Sequence, residues 1–385
     1  MRLEQIQIEG VRNLADTEIH FDSNVNYIFG NNGAGKTSIL EAIHYLAIGR
    51  SFRTSRDAEI VRFNAPFLKI TGVAYPLQLS QSEANDKVTG AEKIEAEIRY
   101  FNGVKTAYLQ KQKQDKLSAY LGWLPVVTIL LSDIELVSGP PDRRRNFVDL
   151  AIAKTNKTYL KNLIEYRSVL LQRNKLLMGH ATNSPAQEEY YEVWEESLAK
   201  LGSEIINERI KQVPLLLDEA QKFYAEFIKN RRIIFEYKSQ FNNNNDVSNI
   251  QDRLLELLKQ RRAQDKELGH TTIGPHRDDI IIKEKNQFDA DKIVRRFGSE
   301  GEQRLAALSL KMAEAQKLSN QGKQPIFLLD EFASELDMEN TRKLFELIQG
   351  QFFYATAKAF KDIINRTGKT FYVEKGEIKK TETTG

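Results

Sequence analysis

The sequence predicts an α/β protein whose two strand-forming ends are separated by a long helical insertion. Three observations carry this. Apolar strand patterns cluster toward both ends of the 385-residue chain, and the middle reads as helix. The glycine-rich run GNNGAGKT, at 30–37, stands between an apolar strand and a helical pattern.

The first strand is an imperfect alternation of Leu3, Ile6 and Ile8, and Ile19 and Phe21 continue it in a second. NVNYIF, at 24–29, makes a third. From Gly35 the spacing turns helical and amphipathic, with Ile39, Leu40, Ile43, Leu46 and Ala47. Segments 68–75 and 93–100 read as half-exposed strands joined by a polar linker. From 142 to 230 the chain is rich in Leu, Glu, Lys and Ala, which predicts long helices broken or kinked at Pro214. NNNND, at 242–246, reads as a loop. Strands return at 278–283 and 325–330. Residues 1–141 and 266–385 then make the α/β head, and 142–265 an inserted helical lobe.

Composition narrows the function classes. An apolar fraction of 41% supports a real core and excludes a disordered chain. The formal net charge of +3 is nearly balanced, so any nucleic-acid contact must come from local basic patches. With no cysteine there are no disulfides, thiolate metal sites or cysteine nucleophiles. The N-terminus is charged from its second residue, unlike a signal peptide. No window offers about 18 uninterrupted apolar residues. The expectation is a soluble, cytoplasmic protein without a membrane partner.

Gly30, Asn31, Asn32, Gly33, Ala34, Gly35, Lys36 and Thr37 fit GxxxxGK[ST]. Glycines let backbone N–H groups turn toward a phosphate chain. Lys36 supplies charge to the β- and γ-phosphates, and Thr37 offers a hydroxyl to Mg²⁺. The following helix N-terminus favours the anion. A nucleotide and Mg²⁺ are therefore the expected ligands. Ile326–Leu329 followed by Asp330 and Glu331 reads as a buried strand ending in acids. Asp330 can hold Mg²⁺, directly or through water, and Glu331 can orient or deprotonate an attacking water. Weak alone, this pattern gains specificity beside the phosphate loop.

FGSEGEQRLAALSL, at 297–310, contains a capping box, Ser299 to Glu302. It lies ahead of the carboxylate strand, which is followed by Ser334-Glu335-Leu336-Asp337 and a helix from about Met338. This order resembles the ABC-type ATPase head. There, the resemblance implies, Ser299 and Gly301 would face the γ-phosphate of ATP held by a second subunit.

Three further blocks narrow the resemblance: Gly49-Arg50-Ser51-Phe52-Arg53-Thr54, the run from Gly139 to Asp149, and Gly274-Pro275-His276-Arg277-Asp278-Asp279. Together with the ATPase elements they closely resemble the RecF family, from EGVRNL near the start to GQFFYATAKAF at 350–360. The resemblance implies a Rad50-like head with a helical second lobe. It implies a slow ATPase that dimerises on ATP and binds duplex or gapped DNA with little sequence preference. With RecR and RecO as partners, such a protein helps RecA load onto single strands during DNA repair, replication restart and the SOS response. Arg12 would reach the nucleotide. Arg53 and Arg56 would contact DNA or nucleotide, and Arg144 and Arg145 would contact DNA or brace the head. Two departures stand out. The strand ends in Asp-Glu where the family commonly has Asp-Asp, and Ser-Glu-Gly-Glu replaces Ser-Gln-Gly-Gln. What Glu300 and Glu302 do beside a triphosphate is left open.

Two other classes fit less well. A transporter ATPase subunit would carry a switch histidine after the 351–356 strand, and none follows. An SMC-like tether would need sustained heptads, and there are none. His276 lacks neighbouring ligands, which favours a structural hydrogen bond over a metal role.

Overall fold

The computed structural model describes residues 1–76, 92–179, 185–229, 231–241, 249–285, 292–357 and 366–384. The predicted linker between the half-exposed strands, the loop at 242–246 and the end of the 350–360 segment lie outside them. In chain order the N-terminal region forms β1 (Arg2–Glu9), β2 (Thr17–His20), β3 (Val25–Phe29), α1 (Lys36–Ile48), β4 (Phe67–Tyr75), β5 (Ile94–Phe101), β6 (Val104–Leu109), β7 (Gln112–Lys113), α2 (Leu117–Tyr120) and β8 (Val126–Leu130). The middle forms α3 (Glu135–Ser138), α4 (Pro141–Ala153), α5 (Lys157–Met178), α6 (Pro185–Phe227), β9 (Ile233–Lys238), α7 (Ile250–Leu268), β10 (Asp279–Glu284), β11 (Lys292–Ile293) and α8 (Val294–Phe297). Helix α9 (Glu300–Asn320) leads into β12 (Ile326–Asp330), α10 (Met338–Leu347), β13 (Phe352–Thr356), β14 (Gly368–Glu374) and β15 (Glu377–Thr384).

The chain divides into two compact units, one of Met1–Asp133 with Glu314–Gly385 and one of Ile134–Ala313. The first holds two sheets. One is antiparallel, in the order β2-β1-β4-β5-β6-β7. The other, β15-β14-β3-β13-β12-β8, is parallel except for its β14–β15 edge. Strands β8 and β13 are buried throughout, as parallel strands covered on both faces must be. Helix α1 touches strands of both sheets. That position explains a departure from the predicted amphipathic helix: every α1 residue but Thr37 is buried, because no face meets water.

The second unit packs α5, α6 and α7 together, with the antiparallel sheet β11-β10-β9 beside α6. Its boundaries differ from the predicted 141 and 265. Strand β10 pairs residue by residue with β9, so the segment after 265 stays with the helical unit. The sequence reading missed β9, whose apolar run lies between the helix-rich stretch ending at 230 and the loop at 242–246. Of the break or kink expected at Pro214, the break does not occur, and α6 continues through it over 43 residues. Proline removes one N–H donor, but Pro214 lies on the exposed side, and buried Val213, Leu216 and Leu217 hold the turns around it.

A buried ion cluster locks the three helices. Arg173 of α5 is fully buried, donating to Asp265 of α7 at 2.7 Å, Glu195 of α6 at 2.8 Å and the Thr271 hydroxyl at 2.7 Å. Arg262 closes on the other Glu195 oxygen at 2.6 Å, balancing the two acids. A second cluster joins two of the sequence blocks. Arg209 binds Asp149 at 2.6 Å and Asp278 at 2.7 Å, and Asp149 accepts from Tyr159 at 2.5 Å. Burial alone would lower the Arg209 pKa; Asp149, Tyr159, Tyr237 and Asp278 outweigh it and carry it well above the usual value.

Candidate nucleotide site and Ser-Gly helix

The glycine-rich loop leaves the C-terminal end of β3, and Asp330 ends β12, with β13 between them in the sheet. Parallel strands gather such ends on one edge, where ligands of open α/β sheets bind. Gly30 and Gly35 show why glycine is needed. A Cβ on Gly30 would lie 2.2 Å from the Val373 carbonyl oxygen, and Gly35 sits at φ 116. The loop is braced from outside by Asn13, whose Nδ2 donates to Gly33 O at 3.0 Å, and by Gly376 N–H on Ala34 O at 2.8 Å.

Four functional side chains converge here. The Thr37 hydroxyl donates to Asp330 Oδ1 at 3.0 Å. The buried Lys36 ammonium donates to Gly30 O at 2.8 Å and Asn31 O at 3.1 Å, and lies 3.4 Å from Glu331 Oε1. Burial raises the Asp330 pKa; the Thr37 hydrogen bond opposes this, Glu331 adds to it, and Arg53 and Lys36 oppose it. Glu331 has a left-handed φ of 51, and its N–H is tied to Ala355 O at 3.0 Å. A non-glycine residue in that conformation is strained, and such strain concentrates at functional sites.

The residues fit the expected ligands. Helix α1 has 13 residues and no acid in its first turn, so its N-terminus presents N–H groups and dipole to an anion without repulsion. Thr37 and Asp330 supply two hard oxygen donors. No cluster of three acidic or histidine ligands occurs among the described residues. That suits Mg²⁺, which completes its shell with phosphate oxygens and water.

The arginines sort differently from the sequence reading. Arg12, expected at the phosphates, grips Glu41 with Nε at 2.9 Å and Nη2 at 2.7 Å, and its Nη1 donates to Glu59 O at 2.6 Å. The Glu41 carboxylate is fully buried and also accepts from the Ser51 hydroxyl at 2.5 Å. The sequence reading passed over Glu41, although an acid inside an apolar helix signals a buried partner. Arg53 lies 3.6 Å from the same carboxylate and is half exposed. Arg56 is 81% exposed beside Glu59. Of the two roles expected of Arg144, its contacts are those of a brace and not of a DNA contact. It is buried, with Nε and Nη2 on Asp279 at 2.6 and 3.0 Å and Nη1 on Gly139 O at 2.9 Å, which leaves no face for a phosphate. Half-buried Arg145 donates to Asp278 O at 3.1 Å, and burial lowers its pKa.

In the other unit, Ser299 and Glu302 form the reciprocal capping box. Ser299 N–H donates to Glu302 Oε2 at 2.9 Å, and Glu302 N–H to Ser299 Oγ at 3.3 Å. Ser299 and Gly301 are exposed, and a Cβ on Gly301 would meet nothing within 4 Å. Asp337 caps α10 through Asn340 N–H at 2.7 Å.

A phosphate loop, an Asp-Glu strand end two places away and a helical insertion define a P-loop ATPase head of ABC and SMC type. The model of the RecF/RecN/SMC N-terminal domain family matches residues 2–374. The DNA replication and repair protein RecF of Latilactobacillus sakei is 34% identical over 388 residues, covering 98% of each chain. That of Enterococcus faecalis is 32% identical over 393 residues, covering 100% of both. A solved structure of the recombination mediator protein RecF with ATP, in the RecFOR pathway, matches with a TM-score of 0.84 at 27% identity, over 100% of this chain and 98% of that one. An Smc head bound to the C-winged helix domain of ScpA shares the fold, with a TM-score of 0.55 at 16% identity. The chain belongs to the RecF/RecN/SMC N-terminal domain family and, within it, to the RecF proteins.

Proposed function

We propose that the chain is an ATP-dependent recombination mediator that dimerises on ATP, binds duplex or gapped DNA, and promotes RecA loading with RecR and RecO in the cytoplasm. The observation that carries this is the convergence of Lys36, Thr37, Asp330 and Glu331 at one sheet edge. Backbone N–H groups of 30–37 and Lys36 hold the triphosphate. Thr37 and Asp330 would hold Mg²⁺, which supplies charge neutralisation along the phosphates. Glu331 orients a water and takes its proton as the oxygen attacks the γ-phosphorus and ADP leaves. Glu331 is one-third exposed and lies 3.4 Å from the Lys36 ammonium.

Ser299 and Gly301 of one copy face the γ-phosphate bound by another, so that ATP is buried between two heads. Two exposed arginines, Arg53 and Arg56, are the candidates for phosphate contact. Arg53 is the better placed for nucleotide, because its charge reaches Asp330. No helix among the described residues is long and apolar enough to cross a membrane.

Sedimentation velocity with and without ATP and a gapped duplex tests the proposal. With Glu331→Gln blocking hydrolysis, ATP should convert monomer to dimer and strengthen DNA binding, and Lys36→Ala should abolish both. Ser299→Arg should keep nucleotide binding and lose the dimer. A Glu331→Gln protein that stays monomeric in ATP refutes the proposal.

A further inference from the structure

Glu302 poses a problem of charge. As the third residue of α9 it favours the helix dipole and caps Ser299, yet a carboxylate there opposes an approaching triphosphate. The counter-charge comes from a distant stretch of chain. Arg231, two residues ahead of β9, forms an ion pair through Nη1 with Glu302 Oε1, and lies 3.4 Å from Glu284 Oε1 at the end of β10. The Glu302 side chain is 15% exposed and that of Arg231 49%, so the cation covers the acid and faces water. Beneath them Tyr224 of α6 is buried, its hydroxyl without a hydrogen-bond partner among the described residues. Burial raises the Tyr224 pKa, Glu302 raises it further and Arg231 lowers it, which places the hydroxyl in the field of the pair. Glu300 behaves otherwise: it is 70% exposed and held by Arg304 one turn along, at 2.6 Å.

We propose that Arg231 is a positioning residue for ATP-driven dimerisation, masking Glu302 so that the N-terminus of α9 can present Ser299 and Gly301 to phosphates held by a second copy. The role rests on the trans contact between Ser299 and another copy's ATP. Of the two carboxylates that Arg231 faces, Glu302 is the nearer; without Arg231, Glu302 loses the cation paired with it in the first turn of α9 at each of two interfaces.

The test is the ATP-dependent dimerisation constant, measured by sedimentation on the Glu331→Gln background. Arg231→Ala should weaken dimerisation about ten-fold through added repulsion at the two interfaces. Arg231→Lys should retain it, and Arg231→Ala with Glu302→Gln should recover it. The Arg231→Ala defect should shrink as salt rises from about 50 to about 500 mM, because exposed charges are screened. A lost structural brace would not respond in that way. Binding of a fluorescent ATP analogue to the monomer should be unchanged throughout. Should Arg231→Ala not fold, Glu302→Gln alone decides: it should dimerise at least as well as its parent, and weaker dimerisation overturns the inference. An unchanged constant in Arg231→Ala, or an equal defect in the double variant, also overturns it. If Ser299→Arg dimerises normally, the trans contact itself fails. If Ser299→Arg blocks the dimer and Arg231→Ala is silent, only the role of Arg231 fails.

Discussion

Arg12→Ala separates a structural brace from a nucleotide contact at the edge of the phosphate loop. In the structure Arg12 holds the fully buried Glu41 carboxylate by two hydrogen bonds, at 2.9 and 2.7 Å. The Glu41 hydrogen bond, the largest cause, together with the charges of Glu41 and Glu59 outweighs burial and holds the Arg12 pKa above its usual value. Removing one member of a buried ion pair leaves the other charge without compensation, which costs about 3–5 kcal/mol. Here Glu41 keeps the Ser51 hydroxyl and has Arg53 at 3.6 Å, and Arg12 is itself 21% exposed. The expected loss is therefore at the lower end, about 2–3 kcal/mol. Backbone strain adds little to the difference, since Arg12 already sits at φ 48 and alanine would share that conformation. Urea unfolding followed by tryptophan fluorescence measures the loss. Trp123 reports on the unit that contains Arg12, with Nε1 on Leu46 O at 3.1 Å at the end of α1, and Trp194→Phe removes the other tryptophan. A double-mutant cycle with Glu41→Gln should show a coupling of at least about 1 kcal/mol. If Arg12→Ala is as stable as its parent within about 0.5 kcal/mol while ATP affinity falls ten-fold, the brace argument is refuted and Arg12 serves the nucleotide.

Three further outcomes are expected. Thr37→Ala should weaken ATP binding in Mg²⁺ far more than in EDTA, as read by a fluorescent ATP analogue; an equal loss in both removes Thr37 from the metal's coordination. His276 should remain neutral through the physiological range. Its Nε2–H donates to Thr271 O at 3.0 Å and its Nδ1 accepts from the Tyr166 hydroxyl at 2.7 Å, while burial pulls the pKa down from 6.5 to about 4 against the opposing Thr271 bond. The unfolded chain then takes up this proton first, so its contribution is full above pH 6.5 and is lost as pH falls toward 4. The contribution is at most about 3 kcal/mol, because the ring keeps some solvent access. His276→Gln should flatten that acid limb, and a ring titrating near 6.5 by NMR would refute it. Arg173→Met should destabilise the helical unit by about 3–5 kcal/mol, because Glu195 and Asp265 would be left with too little positive charge in a dry site. Trp194 fluorescence after Trp123→Phe measures this, and a loss below about 1 kcal/mol would show that Arg262 suffices.

The phosphate loop and the Asp-Glu strand end were legible from the sequence because their chemistry is local. A triphosphate is cradled by consecutive backbone N–H groups, so its residues must be contiguous, and a buried parallel strand must be continuously apolar. The Ser299 capping box was readable for the same reason, its donors and acceptors lying three residues apart. The arginines show where that legibility ends. Arg12, Arg53, Arg56, Arg144 and Arg145 look alike as letters, yet one is sealed onto Asp279, one grips Glu41 and one stands 81% exposed. The energy of a charged side chain depends on burial and on a partner that can lie anywhere in the chain. Strand β9 went unread because its apolar run fits helix and strand alike, and pairing with β10 decided the matter. Thus the sequence by itself determined the glycine-rich loop, the acidic strand end and the capping box, and the order in which they follow. Only the tertiary structure decided which charges are free to act: it set Arg231 on Glu302 and Arg144 on Asp279, because such partners are chosen by distance in space and not by distance along the chain.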